Sequence, residues 1–352
     1  GCISYERLLS ALRHYRVLIM PQQSLSSPLA RTWRMIEALA CGCSVVTSGV
    51  EATELPEELV IQVENNTALL EETLALLTDE SERLRNSHLA WRHIYASHTY
   101  AHRIRTICKS LRIEHDWDEF PAISVVTPTK RPDMIESCLE KYRSQHYPNK
   151  ELLLVINNDK VDLEKLRSLV SNFPNVHLNQ VHPENNIGVC LNYGVARASG
   201  KYWFKMDDDD FYGPSYLADM VRLAEAADID IMGKPPGFIY MKDEDRLYLR
   251  KKSLYLHHNI GSIDTIHLCG ATLGGLRSRF HGFSESHRAC VDTRFVDDAI
   301  AKGMTVMCAD IWNFVAFRAI DKSRHTWREG DKTIINNAAL FSVGLRLNKV
   351  MI

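Results

Sequence analysis

The chain has 352 residues, of which 45% are hydrophobic and 24% charged, with a formal net charge of −2 at pH 7. That length accommodates two domains, and the balanced charge excludes a polybasic nucleic-acid surface or a disordered acidic tail. No apolar run approaches the roughly 18 residues that span a membrane and no secretory h-region opens the chain, although peripheral membrane association stays open. Nine cysteines without a CxxC pair or a framework spacing indicate reduced thiols and a cytoplasmic setting. The chain begins at Gly1 rather than Met, which points to a tag remnant or a fragment of something longer.

In chain order, Tyr5–Tyr15 is helix-compatible and Val17–Met20 is an apolar strand candidate. A Ser/Pro/Gln loop follows, then a helix over Leu29–Ala40 that Gly42 ends, because glycine suits a left-handed cap. Ser44–Thr47 reads as a short buried strand, and Ala68–Leu77 and Glu82–Leu111 have helical periodicity with exposed charges. Helix, strand, helix, strand, helix is the second half of a doubly wound sheet, too short for a complete nucleotide-binding domain.

Within that stretch, Glu37-Ala38-Leu39-Ala40 followed by Gly42 and Val45-Val46 resembles the signature of the carboxy-terminal half of GT-B glycosyltransferases of the group 1 type. His98–Arg103 resembles the closing helix of the same family. The resemblance implies a partial Rossmann-like half-domain over residues 1–113, in which Glu37 contacts a donor ribose only if a longer parent supplies the upstream half. A truncated or scaffolding remnant is the alternative.

Glu114–Pro121 is acidic, aromatic and closed by proline, so a linker is expected over 114–121. Beyond it, strands are expected over Ala122–Thr127, Glu151–Ile156, Val176–Gln180 and Tyr202–Met206. Helices are expected from Asp133, over Leu163–Val170, and from Asn185 to Ala198. Strands alternating with helices at this spacing indicate a parallel sheet with right-handed crossovers.

The last of these strands stops at four consecutive carboxylates, Asp207, Asp208, Asp209 and Asp210. Adjacent like charges repel, so something positive is expected beside them. Hard oxygen ligands of this kind suit Mg²⁺ or Mn²⁺, and ligands bind at the carboxyl ends of strands in open α/β sheets. A solvated acidic turn is the plain alternative.

Val125-Val126-Thr127-Pro128-Thr129 with Arg131, then Gln145 with Tyr147-Pro148-Asn149, then Asn186 with Gly188, then Gly200-Lys201-Tyr202 leading to the Asp run, follow one another in order. That succession resembles glycosyltransferase family 2, the inverting, metal-dependent GT-A enzymes, over roughly residues 122–330. The implied fold is α/β: a GT-A domain, a mostly parallel sheet flanked by helices, preceded by the partial Rossmann-like half-domain. Its nucleotide half would run over about 122–240 and its acceptor half over about 241–330.

The resemblance also assigns residues. Asp209 would ligate Mn²⁺ or Mg²⁺ directly, and Asp207 would contact the ribose or reach the metal through water, with Asp208 and Asp210 behind them. A register one residue later stays open. Pro128, Thr129 and Arg131 fall where the family's first loop meets the nucleoside. Asn157-Asn158 stands where the family carries an Asp pair that reads the base; an amide still offers a donor and an acceptor. Asn186 and Gly188 match the loop before the third helix, with a plain helix N-cap as the other reading.

Past Met241–Tyr255, read as an exposed hairpin or acceptor-side insertion, Gly270-Ala271-Thr272, His281-Gly282-Phe283 and Asp292 to Phe295 follow the family's order toward the acceptor helix. Asp292 matches the general base, with Asp297 and Asp298 as rivals and a helix N-cap as the structural alternative. His325, in a His-Thr-Trp setting, matches the histidine that completes the metal site in many relatives. His257, His258 and His267 are candidates to line an acceptor cleft. Residues 331–352 are expected to end in an amphipathic helix over Asn336–Val350.

These readings predict a glycosyltransferase that moves a sugar from a nucleotide-diphosphate donor, a UDP-sugar first, to a glycan, lipid-linked or protein acceptor. A catalytically inactive nucleotide-sugar-binding or scaffolding module is the alternative. A metal-dependent phosphohydrolase is a third reading, for which the sequence offers no two-metal carboxylate set.

Overall fold

The computed structural model describes the chain except residues 1–3, 22–26, 49–54, 116–119, 251–257, 260–267 and 319–329. It divides into two compact units, Gly1–Trp117 and Asp118–Ile352. His325, His257 and His267 therefore lie outside the described residues, and of His258 only its place in a short strand is described.

The first unit comprises α1 (Tyr5–Leu12), β1 (Val17–Met20), α2 (Pro28–Ala40), β2 (Ser44–Ser48), β3 (Val60–Val63), α3 (Asn66–Thr78), α4 (Glu80–Ser97) and α5 (Tyr100–Leu111). The three strands form one parallel sheet in the order β1-β2-β3. Met35, Leu39, Val45, Val60 and Ile94 close its core. Helix ends follow local chemistry. Pro28 opens α2, where its missing N–H costs nothing, and Gly42 at φ +83° closes it. Asn65, Asp79 and Thr99 each cap a following helix through a side-chain oxygen. The Thr99 cap is why the helical stretch expected over Glu82–Leu111 is two helices. Strand β3 escapes sequence reading, since four residues with a polar Gln62 give no clear period.

The second unit runs β4 (Ile123–Thr129), α6 (Ile135–Arg143), β5 (Lys150–Ile156), α7 (Leu163–Val170), β6 (Val176–Gln180), α8 (Ile187–Arg197), β7 (Tyr202–Lys205), β8 (Phe211–Tyr212), α9 (Tyr216–Ala226), β9 (Ile231–Gly233), β10 (Phe238–Met241), β11 (Arg246–Arg250), β12 (His258–Asn259), β13 (Gly274–Leu276), α10 (Val291–Ala301), β14 (Val306–Cys308), β15 (Phe314–Arg318), α11 (Asp331–Asn336) and β16 (Ala338–Val343). Eight strands form one sheet in the order β12-β14-β9-β13-β7-β4-β5-β6. The β7-β4-β5-β6 part is parallel, and β13 enters antiparallel beside β7. The chain moves outward from β4 to β6 and then returns to place β7 on the other side of β4. That reversal of strand order puts a crevice at the carboxyl ends of β4 and β7.

A second sheet, ordered β16-β11-β10-β15-β8, lies in the same unit. It holds two corrections. The expected hairpin after Met241 exists as β10 and β11, but Leu247 and Tyr248 are buried and β11 has a neighbour on each side. The closing helix expected over Asn336–Val350 is not formed. Only Asp331–Asn336 is α-helical, and Ala338–Val343 is a strand paired with β11. The spacing of Leu340, Val343, Leu347 and Val350 suits a helix, yet the unpaired backbone edge of β11 offers a ladder of hydrogen bonds that outweighs that local pattern.

Candidate active site

The Asp run begins two residues after β7 ends, at the crevice between β4 and β7. The strand itself is buried at every position from Tyr202 to Lys205. Trp203 and Lys205 share one face of β7, because strand side chains alternate. Trp203 packs edge-on against Phe280, Phe283 and Phe295 at ring distances of 5.1, 5.8 and 5.7 Å. Phe295 belongs to α10, and Asp292 lies one turn before it on the same helix face. The aromatic cluster thus holds α10 against β7 so that Asp292 meets Lys205.

Lys205 is the residue at the centre. Its side chain is 3% exposed, and its Nζ lies 2.9 Å from Asp207 Oδ2, 3.7 Å from Asp292 Oδ1 and 3.0 Å from the carbonyl oxygen of Gly270. Burial alone would lower its ammonium, but Asp207 and Asp292 more than offset this and hold it above its ordinary value. Asp292 Oδ1 is itself buried and receives no hydrogen bond from the described residues. Gly270 permits the approach: a Cβ there would fall 2.5 Å from Asp292 Cγ and closer still to its Oδ2.

Asp207 keeps 27% side-chain exposure, yet its carboxyl is pushed up to about 6. Desolvation is the largest cause; Lys205 pulls it down, and Asp292 and Asp209 push it further up. Its main-chain N–H donates to Tyr212 Oη, which in turn donates to the Ala271 carbonyl, each at 2.7 Å. Asp210 accepts from the Phe317 N–H at 2.9 Å, and burial with Asp209 and Asp207 nearby raises its carboxyl well above the ordinary range.

Asp208 points the other way. Arg131 grips it bidentately through Nε and Nη2, and the Thr129 hydroxyl donates to it. Lys141 Nζ donates to its main-chain oxygen at 2.7 Å. The same Arg131 Nη2 reaches Asp209 Oδ2 at 2.9 Å. Three protein cations, Arg131, Lys141 and Lys205, therefore supply positive charge of the kind expected beside the run.

Of the expected site residues, Asp207, Asp208, Asp209, Thr129 and Arg131 are gathered here, with Asp292 joined through Lys205. Pro128 is buried in β4 opposite Val155. Thr129 and Asp208 are engaged with each other and with Arg131. Asn157 donates to the Asn185 carbonyl at 3.2 Å, and its own side-chain oxygen accepts nothing from the described residues. Asn158 is tied to the Lys130 carbonyl and the Lys160 N–H. Asn186 caps α8 through Val189 N–H and donates to the carbonyls of Glu285 and His287, so its cap reading is the one seen. Sequence reading misses Lys205, Lys141 and Tyr212. A lysine inside an apolar strand next to an acidic run is the available signal, because lysine is almost never fully buried unless paired.

Glu37, in the first unit, pairs with Arg34 at 2.7 Å. Nearby, Arg31 donates to Thr47 Oγ1 and the Ser48 carbonyl at 2.9 and 3.2 Å.

Comparison with known proteins divides the chain in the same manner. Residues 124–282 match Glycosyl transferase family 2, and residues 1–109 match a family described as Glycosyl transferase-like. The putative glycosyltransferase EpsH of Bacillus subtilis (strain 168) is 28% identical over 108 residues, 30% of this chain and 31% of the relative. Among solved structures, S. aureus TarS 1-349 is similar with a TM-score of 0.46 and 17% identity, over 56% of this chain and 60% of that one. The same protein in complex with UDP-GlcNAc is similar with a TM-score of 0.46 and 15% identity, over 61% and 64%. The chain spans about a third of the length of the curated relative it matches. Both resemblances read from the sequence are thus found again, each on its own segment, and the α/β class stands. No described helix is long and apolar enough to cross a membrane.

Proposed function

We propose that the second unit is an inverting, metal-dependent glycosyltransferase that moves a sugar from a nucleotide-diphosphate donor, a UDP-sugar first, to an acceptor hydroxyl. The match of residues 124–282 to Glycosyl transferase family 2 supports the reaction class. The observation that carries the reading is the meeting of Asp207, Asp209 and Asp292 at the carboxyl ends of β4 and β7. A glycan, a lipid-linked sugar and a protein side chain all satisfy the acceptor chemistry. A cytoplasmic setting belongs to this reading and rests on the unpatterned cysteines.

The residues fit a divalent cation. Asp292 Oδ1 is buried without a hydrogen-bond donor among the described residues, and the Asp207 carboxyl is raised by desolvation and by neighbouring carboxylates. An oxygen without a donor and a destabilised carboxylate are both suited to a hard cation. Asp207 and Asp209 would hold Mn²⁺ or Mg²⁺, with His325 as a proposed third ligand. The bound ion supplies neutralisation of the departing diphosphate.

The chain's own groups do the rest. Asp292 takes the proton of the acceptor hydroxyl as its oxygen bonds to the anomeric carbon and the bond to the diphosphate breaks on the opposite face. Lys205 holds Asp207 and Asp292 at a fixed spacing. The side-chain oxygen of Asn157, which accepts nothing from the described residues, can accept from a base N–H. In the first unit we read residues 1–113 as a partial donor-type module and 114–121 as a linker.

One observation favours the second reading, a nucleotide-sugar-binding module without turnover: Arg131 and Lys205 already neutralise much of the acidic turn. A screen of nucleotide-sugar donors for nucleotide release with Mn²⁺ decides between them. Release that disappears in Asp209→Ala supports the transferase; tight nucleotide binding with no release from any donor supports the inactive module.

A further inference from the structure

Two helices of the first unit turn an apolar stripe to solvent, and the two stripes differ in charge. On α5, Tyr100, Ile104, Ile107 and Leu111 are 72%, 57%, 55% and 64% exposed. Their spacing places them within about 60° of the helix circumference, at about 100° per residue. No residue of α5 is buried, so the helix lies on the outside of the unit. Thr99–Ile113 holds Arg103, Arg105, Lys109 and Arg112 and no Asp or Glu. On α3, Leu70, Leu74 and Leu77 are exposed at a similar spacing. There, however, Asn66–Thr78 holds Glu71 and Glu72 and no Lys or Arg.

We infer that α5 is a membrane-surface helix that lays Ile104, Ile107 and Leu111 into the headgroup boundary of an anionic bilayer. Its 12 residues are too few to span a bilayer but suit a helix lying in the plane of its surface. Insertion removes the exposed stripe from water, which is favourable. Arg103, Lys109 and Arg112 are exposed; their long apolar stems let the charged ends stay in water and meet anionic headgroups. Tyr100 closes the stripe at its N-terminal end, and its ring stacks on that of Trp33 of α2 at 6.4 Å. Rings with an apolar body and a polar tip settle at the membrane interface. A fluid bilayer also moulds itself to a protruding helix, whereas a folded protein partner must bring a matching groove. The α3 stripe carries the charge that anionic headgroups repel, so it stays in water. The inference concerns the first unit alone and does not rest on the transferase reading.

The test is co-sedimentation of the full chain with vesicles, either phosphatidylcholine alone or phosphatidylcholine mixed equally with phosphatidylglycerol. Circular dichroism checks the folding of each variant. Wild type should bind the mixed vesicles at least about tenfold more tightly than the neutral ones, and about 0.5 M salt should remove most of that difference. Ile104→Ser with Ile107→Ser should weaken binding to the mixed vesicles at least about tenfold. Lys109→Gln with Arg112→Gln should also weaken it at least about tenfold, since each basic group near the surface contributes about fivefold. Leu70→Ser with Leu74→Ser, on the acidic α3, should bind as wild type does. All these positions are exposed, so the variants should fold, and each of the two α5 variants tests the inference without the other. A wild type that ignores the mixed vesicles overturns the inference. So does binding that is indifferent to Ile104 and Ile107, which would mark a general basic patch. A dimer in light scattering that Ile104→Ser with Ile107→Ser makes monomeric, without vesicle binding, gives the stripe to a second copy and overturns it too. No donor is present in these measurements, so a failure of the transferase reading leaves their outcome unchanged.

Discussion

The two units each set charged and polar side chains beside a parallel sheet, and they treat them in opposite ways. In the first, several described polar groups near β2 and α2 are paired, Arg31 with Thr47 and Ser48, Ser48 with Asn66 and Arg34 with Glu37, while Ser44 Oγ on β2 is buried with no hydrogen-bond partner among the described residues. In the second, carboxylates are crowded until burial and mutual repulsion raise Asp207 and Asp210, and Asp292 Oδ1 is left buried without a donor among the described residues. Balanced polar groups stabilise a fold and ask for nothing further. Crowded ones cost stability, and such tension is typical of a site that awaits a ligand.

The sharpest way to break this contrast is at Asp292. Asp292→Asn should lower the rate of sugar transfer by about 10²- to 10⁴-fold, the range for loss of a general base, while UDP affinity stays near wild type. Equal transfer by the variant, measured as nucleotide release, would hand the base role to Asp297 or Asp298. Next is Lys205→Met, which leaves Asp207 without its buried counter-ion. Loss of about 3–5 kcal/mol in urea denaturation is expected, and a loss under about 1 kcal/mol would mean that solvent reaches Lys205 after all.

A smaller effect follows from Asp207. Its carboxyl rises from 3.8 to about 6 in the folded protein. Between those values the folded chain holds a proton that the unfolded chain has released. The metal-free protein should therefore lose stability as pH rises through that window, and Asp207→Asn should remove that part of the slope in urea denaturation followed across it. The smallest effect belongs to the first unit. Glu37→Gln breaks a partly exposed pair with Arg34 worth at most about 1 kcal/mol, and transfer by the second unit should not change. A large loss of transfer in Glu37→Gln would show that the first unit's polar groups are not merely structural.

Much of this is legible in the amino-acid order. The motifs from Val125 to Phe295 succeed one another along the chain, and local chemistry marks most elements: apolar β-branched runs for β4 and β5, and side-chain caps at Asp162 and Asn186 for α7 and α8. The failures share a cause. The last strand reads as a helix because Leu340, Val343, Leu347 and Val350 carry helical spacing, and only the backbone edge of β11 decides otherwise. Nor does anything nearby in sequence show that Arg131 and Thr129 will take Asp208.

Residues close together in the chain are enough to place the acidic turn, to name the strand that delivers it and to show the resemblance to the family whose model matches residues 124–282. Which charge faces which is settled only by folding. Lys205 meets Asp292, and Arg131 meets Asp208 and Asp209, across long separations in sequence. Ion pairing follows distance in space and the dielectric around the pair, and both are set only when the strand order and the packing of Trp203 on Phe295 bring β4, β7 and α10 together.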